Sequence, residues 1–144
     1  MSGEFAGRSF EVVDDLAECT PPMRGTPPAT AAERQQQGAC KAQLDRLFAR
    51  FFKPVAGADR SEMLVCHGNV IRYLVTRALG VDATAWPAMS VGHGSMTTIR
   101  VEADGTFRII AVGDVGHVPQ SLRTGAINDP ERNLANQALR DAGI

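Results

Sequence analysis

"LVCHGNVIRYLV", residues 64–75, decides how the chain folds, because its apolar pattern changes period at His67. Met63, Leu64, Val65 and Cys66 form a short apolar run whose length and polar borders suit a buried strand. After Gly68 and Asn69 the spacing becomes helical. Val70, Ile71, Leu74, Val75, Ala78 and Leu79 share one face, and Arg72, Tyr73, Thr76 and Arg77 the other. Asn69 suits the N-cap and Gly80 the stop. His67 is thus expected at the carboxyl end of a strand, beside the free N–H groups of a helix N-terminus, which attract anions. Ligands of open α/β sheets gather at that end of the strands. Spacing alone leaves a second reading equally open, a buried histidine bonded to a neighbouring carbonyl.

Working outward, the chain has 144 residues and 44% hydrophobic content, enough for one domain with a core, so residues 1–144 are read as a single domain with a polar tail over 119–144. The 15 basic and 16 acidic residues are interspersed and nearly cancel, which implies no nucleic-acid partner and no membrane surface. Cys19, Cys40 and Cys66 are an odd set without C-x-x-C spacing, so neither a disulfide framework nor a metal site is indicated, and a reducing cytoplasm fits best. No apolar run approaches the length that spans a bilayer.

The remaining elements follow from periodicity and turn residues. Phe10 to Val13 is a strand candidate, followed by acids and by the proline-rich loop "CTPPMRGTPPAT", which cannot be helical. Thr30 and Glu33 form a capping box, and Cys40, Leu44, Leu47, Phe48 and Phe51 then recur at helical spacing up to Lys53 and Pro54. Asp82 caps a short helical turn ended by Pro87. Thr97 to Glu102 and Phe107 to Val112 form a hairpin around Asp104 and Gly105, the second strand being the more fully buried. Pro130 to Asp141 reads as a weakly amphipathic helix. The order of elements is that of an α/β domain.

"CHGNVIRYLVTRALG" resembles the second histidine motif of the histidine phosphatase superfamily, which includes the phosphoglycerate mutases. "DLAECTPP" upstream and "GSMTTIRVEADGTFRIIAVGDVGHVP" downstream reinforce the resemblance, which is closest to the serine/threonine protein phosphatase branch of the phosphoglycerate mutase-like family. It implies an α/β sandwich with a mostly parallel central sheet flanked by helices. In that family the first strand ends in Arg-His-Gly, whose histidine is the nucleophile, and a helix expected just before Arg8 supplies a second phosphate-binding arginine. Here the three histidines follow Cys66, Gly92 and Gly116, so the chain is expected to be N-terminally truncated, to lack the family's first strand, and to hold about the C-terminal two-thirds of the domain.

By the same resemblance, His67 is the second active-site histidine and stabilises charge on the phosphoryl oxygens. Gly68 lets the backbone approach the phosphate, the Asn69 N–H bonds it, and Glu18 is the loop carboxylate that protonates the leaving oxygen and activates water. Without the resemblance, Glu18 reads as a solvated loop residue. His93, in a glycine-flanked loop, reads as a solvated turn residue, His117 is assigned a structural role, and Cys66 packs as a small hydrophobe. No cofactor is implied. The expected function is that of a phosphatase or phosphomutase domain acting on phosphate monoesters, on a phosphorylated small molecule or a phosphoprotein, but inactive in this chain. The alternative is a non-catalytic phosphate-binding or protein-interaction module. An unpaired sheet edge beside the His67 strand further implies a homodimer.

Overall fold

The computed structural model describes residues 10–125. The expected helix from Pro130 to Asp141 and the segment around Arg8 lie outside the described residues. Two α-helices and one hairpin carry the fold: α1 is Ala31–Phe51, α2 is Gly68–Ala78, β1 is Met96–Val101 and β2 is Phe107–Asp114. Short 3-10 turns occupy Asp14–Leu16, Ala83–Ala88 and Gln120–Leu122. Among the described residues no helix is long and apolar enough to cross a membrane.

α1 begins with the capping box its sequence encodes. The Glu33 N–H donates to Thr30 Oγ1 at 3.1 Å, and Glu33 Oε2 accepts from the Thr30 N–H at 3.3 Å. Its inner face contributes Cys40, Leu44 and Leu47, which pack against Val70, Tyr73 and Leu74 of α2 and against Trp86. α2 starts one residue pair earlier than expected. His67, not Asn69, is its N-cap, and the Asn69 side chain is thereby freed for other partners. The helix closes as expected, with Gly80 in the left-handed conformation (φ 67°). The Gly80 N–H donates to the Arg77 carbonyl and the Val81 N–H to that of Thr76, the paired bonds of a Schellman motif.

Tyr73 and Thr76, expected on the polar face of α2, are buried, whereas Leu79 is exposed. Both inward residues satisfy their hydroxyls. Tyr73 Oη donates to Asp45 Oδ1 of α1 at 2.8 Å, and Thr76 Oγ1 donates to the Tyr73 carbonyl at 2.7 Å. The hydroxyl therefore does not keep a residue at the surface when the neighbouring helix offers it a carboxylate.

The hairpin forms where the turn residues place it. Gly105 takes φ 85°, and Asp104 Oδ1 accepts from the Thr106 N–H at 2.9 Å. The strands are antiparallel, with Ile99 opposite Ile109 and Val101 opposite Phe107, and with irregularities between Met96 and Ile99. β2 is not the fully buried strand expected. Its exposure alternates, with Ile110 and Val112 outward, because only one face is covered. Phe107 packs edge-on against Phe48 of α1 at 5.4 Å between ring centroids.

Two expected strands are absent among the described residues. Phe10 to Val13 and Met63 to Cys66 join no sheet, and the sheet has two strands, not the mostly parallel array expected. A strand exists only through ladder bonds to a neighbour, and no described segment bridges to either run. Val12, Met63 and Val65 are accordingly exposed. What the described residues form is a mixed α/β domain.

The cysteine expectation is also corrected. Cys19 and Cys40 are joined in a disulfide, with Cα atoms 5.7 Å apart across a sequence separation of 21, and Cys66 is free. The proline-rich loop folds back along α1, a long-range contact that residue spacing does not reveal. Closing a loop of this length stabilises a fold by about 3 kcal/mol in the chain-entropy description.

Asp45 links the two helices electrostatically. Burial works against its charge, but hydrogen bonds from Lys41 and Tyr73 and the charges of Lys41 and Arg77 hold its carboxyl below the usual carboxylate range. A lowered folded-state pKa contributes stability that is present above the usual value and lost as pH falls through the lowered one. Tyr73→Phe is expected to cost about 1 kcal/mol at neutral pH. It should also weaken the fall in stability below the usual carboxylate pKa, both read from denaturant melts at a series of pH values. An unchanged acid profile would show that Tyr73 does not hold Asp45 ionised.

Candidate active site

His67 stands at the N-cap of α2 with extended backbone (φ −111°, ψ 164°), and its carbonyl accepts from the Ile71 N–H at 3.0 Å. Its imidazole is 56% exposed, which removes the reading of a buried histidine bonded to a carbonyl. Instead the ring faces Glu18, whose Oε2 lies 3.7 Å from His67 Nδ1. That is an ion-pair distance, longer than a hydrogen bond, between two half-exposed groups. Residues far apart in sequence thus share one place with the N–H groups of Gly68 and Asn69 in the first turn of α2.

The approach depends on a clamp that residue spacing did not expose. Asn69 Nδ2 donates to the Cys19 carbonyl at 3.2 Å, fastening the residue after Glu18 to the first turn of α2. Arg72 Nη2 in turn donates to Asn69 Oδ1 at 2.9 Å, and Arg72 Nε donates to the Gly68 carbonyl at 3.1 Å. The Arg72 guanidinium also lies 5.0 Å from the Trp86 ring centroid, and Trp86 Nε1 donates to the Pro22 carbonyl at 3.1 Å. One arginine therefore fixes the amide that fixes the loop. The available signal was positional: Arg72 is three residues after Asn69 and four after Gly68, the spacings at which helical side chains meet backbone and neighbours.

The loop carrying Glu18 is held on its other side by α1. Gln43 Nε2 donates to the carbonyls of Asp15 and Ala17, each at 3.0 Å, and Arg46 Nη2 pairs with Asp15 Oδ1 at 2.7 Å. Further along, Arg24 pairs with Asp82 at 2.7 Å. The Arg24 guanidinium and the Thr84 N–H and hydroxyl bring the Asp82 pKa down to about 2.

Gly68 is not required sterically by the protein itself, since an added Cβ would meet only Arg72 Nη2 at 3.5 Å. Cys66 is half-buried, and burial together with the Glu18 charge pushes its thiol pKa up, against a smaller opposite effect of the His67 backbone, so it is a poor nucleophile. His93 Nδ1 meets Thr124 Oγ1 at 3.0 Å, and His117 Nε2 donates to the Gly94 carbonyl at 2.9 Å. Each joins one loop to another.

Comparison with known proteins bears on what this arrangement is for. The family model described as "Histidine phosphatase superfamily (branch 1)" matches residues 2–114. The chain is 36% identical over 96 residues to the serine/threonine-protein phosphatase Pgam5, mitochondrial, of Drosophila grimshawi, an alignment of 65% of this chain and 33% of the relative. The protein of the same name from Caenorhabditis elegans is 36% identical over 81 residues, covering 54% and 28%. That from Drosophila erecta is 32% identical over 114 residues, covering 79% and 39%. The chain thus spans about a third of the length of these curated relatives.

Asn69→Ala removes the bond to the Cys19 carbonyl and leaves Arg72 without its amide partner. The expected result is a loss of about 1 kcal/mol in stability, with faster amide hydrogen exchange over residues 17–20 and unchanged exchange in the middle of α1. Exchange at 17–20 equal to that of the unaltered chain would show that the loop is held without Asn69.

Proposed function

The chain belongs to branch 1 of the histidine phosphatase superfamily, and on that premise we propose that His67 and Glu18 are the charge-stabilising and proton-handling members of a phosphomonoester site. His67 as an imidazolium offsets negative charge on the phosphoryl oxygens, assisted by the N–H groups of Gly68 and Asn69 at the helix N-terminus. Glu18 protonates the leaving oxygen and then draws a proton from the attacking water. The observation that carries this reading is the 3.7 Å approach of Glu18 to His67 at the open end of α2.

In-line transfer to a histidine following an arginine is not available to these residues, because His67, His93 and His117 follow Cys66, Gly92 and Gly116. This chain by itself therefore recognises phosphate without turning it over. A phosphoprotein is favoured over a phosphorylated small molecule as the ligand, on two grounds. The relatives are named protein phosphatases, and both side chains are half-exposed at an open surface, not enclosed in a cavity.

The mostly parallel sheet of the family and the expected homodimer belong to the same reading. A groove of about 440 Å³ runs between the two segments that join no sheet, with Glu11, Val12 and Val13 on one side and Val65 and His67 on the other. Alternate exposed apolar side chains, Val12 and Val65 among them, suit a strand from a second copy. A combined Val12→Lys and Val65→Lys variant is expected to be monomeric by light scattering where the unaltered chain is dimeric. A monomeric unaltered chain would reject the assembly.

For the site itself, titration with inorganic phosphate or vanadate, followed by NMR, is expected to give binding that His67→Ala weakens by about tenfold or more, the loss of a charge-assisted contact. No turnover of an aryl phosphate is expected from either protein. Turnover abolished by His67→Ala would make His67 the nucleophile and overturn the proposal, and binding indifferent to His67→Ala would remove His67 from the site.

A further inference from the structure

We propose that Cys19 and Cys40 form a reversible thiol–disulfide site that sets the position of the Glu18 loop against His67. Cys19 directly follows Glu18 in sequence. Its side chain is bonded to Cys40 on the third turn of α1, and its carbonyl accepts from Asn69 on the first turn of α2. Cys19 is thus the point at which the loop is fastened to both helices, covalently to one and by a hydrogen bond to the other. Glu18 is the adjoining residue, and its 3.7 Å distance from His67 is what such fastening controls.

The disulfide is open to attack from one side only. Cys40 is 3% exposed, whereas Cys19 is half-buried and lines a surface depression of about 370 Å³ with Thr20, Glu33, Gln36 and Gln37. A reductant therefore reaches the Cys19 sulfur. With a small dithiol, one thiolate attacks Cys19 Sγ, the Sγ–Sγ bond breaks, and Cys40 leaves as a thiolate that takes up a proton. The second thiol of the reductant then attacks its own sulfur in the mixed disulfide, releasing Cys19 as a thiol. The pair gains two electrons and two protons, and the reductant departs as a cyclic disulfide. A small-molecule disulfide reverses the exchange. Cys66 does not enter, since burial keeps its thiol protonated.

Reduction leaves the rest of the loop in place. Trp86 still donates to the Pro22 carbonyl, Arg24 still pairs with Asp82, and Gln43 still holds the carbonyls of Asp15 and Ala17. The consequence is a local loosening at Glu18 and Cys19, not an unfolding of the domain. The functional sense of this device rests on the phosphomonoester reading of His67 and Glu18, but its physical content does not.

The test uses the full chain purified without reductant and involves no phosphate, so its outcome is separate from that of the phosphatase reading. Alkylation with iodoacetamide in denaturant, followed by mass measurement, is expected to label Cys66 alone before treatment with the dithiol and all three cysteines after it. In the folded protein, reduction is expected to move the ring resonances of His67 while those of His93 and His117 stay put, and reoxidation should restore them. A Cys19→Ser, Cys40→Ser double variant should show the reduced His67 resonances with or without reductant. Three labelled cysteines in the untreated chain would refute the disulfide. A disulfide whose reduction leaves His67 unmoved, or one whose reduction collapses the dispersion of all three histidines, would overturn its role as a local positioning link.

Discussion

The phenol of Tyr73 lies buried between α1 and α2, and its hydroxyl donates to Asp45. Placement of His67 follows from this contact, because it fixes the rotation of α2 about its own axis. With Tyr73 and Leu74 turned toward Leu44 and Leu47, the N-terminal end of the helix presents His67, Gly68 and Asn69 to the loop that carries Glu18. An unsatisfied phenol in that position would cost about 1–3 kcal/mol, so the carboxylate of Asp45 is what permits the aromatic ring to be a core residue. Lys41 and Arg77 on either side keep that carboxylate charged, which makes the interhelical contact a small polar network at the partly exposed edge of an otherwise apolar interface.

Once α2 is set, the loop over residues 14–29 is determined by ties of several kinds. The disulfide to Cys40 is covalent, the Asn69 and Trp86 bonds are directional contacts to backbone carbonyls, and the pairings of Arg46 with Asp15 and of Arg24 with Asp82 are exposed and individually weak. Their distribution is uneven in a way that matters for chemistry. The strongest constraint falls on Cys19, next to the carboxylate that faces His67, whereas the exposed ion pairs hold Asp15 and Arg24 on either side of it. A proline-rich segment suits this arrangement, since it has little conformational freedom to lose and few N–H groups that need partners.

The hairpin and the two segments that join no sheet illustrate opposite outcomes of the same rule. β1 and β2 are adjacent in sequence and joined by a turn that Asp104 and Gly105 favour, so each finds its hydrogen-bonding partner locally. Phe10 to Val13 and Met63 to Cys66 have strand-like composition but join no sheet among the described residues, and parallel pairing requires a neighbour brought from elsewhere. Their outward side chains, Val12 and Val65 among them, border the groove that His67 also lines. Whatever pairs with these segments would therefore lie against the candidate site.

By itself the sequence determined the elements whose signals are local. These are the capping box and apolar stripe of α1, the change to helical spacing after His67 with its glycine stop, the Asp-Gly hairpin, and the motif residues that carry the family membership. It also named His67 and Glu18, although only the resemblance, and no spacing, joined them. Tertiary structure alone decided which polar residues go inside, since Tyr73 and Thr76 are buried only because Asp45 and main-chain carbonyls satisfy them. It alone turned an odd set of cysteines into a disulfide and a free thiol, and made Asn69 and Arg72 a clamp instead of a cap and a residue of the polar face. The physical reason is common to all of these. Periodicity, capping and turn preferences are properties of a few consecutive residues, whereas a buried hydroxyl, a disulfide or a strand exists only through a partner whose approach depends on how the whole chain packs.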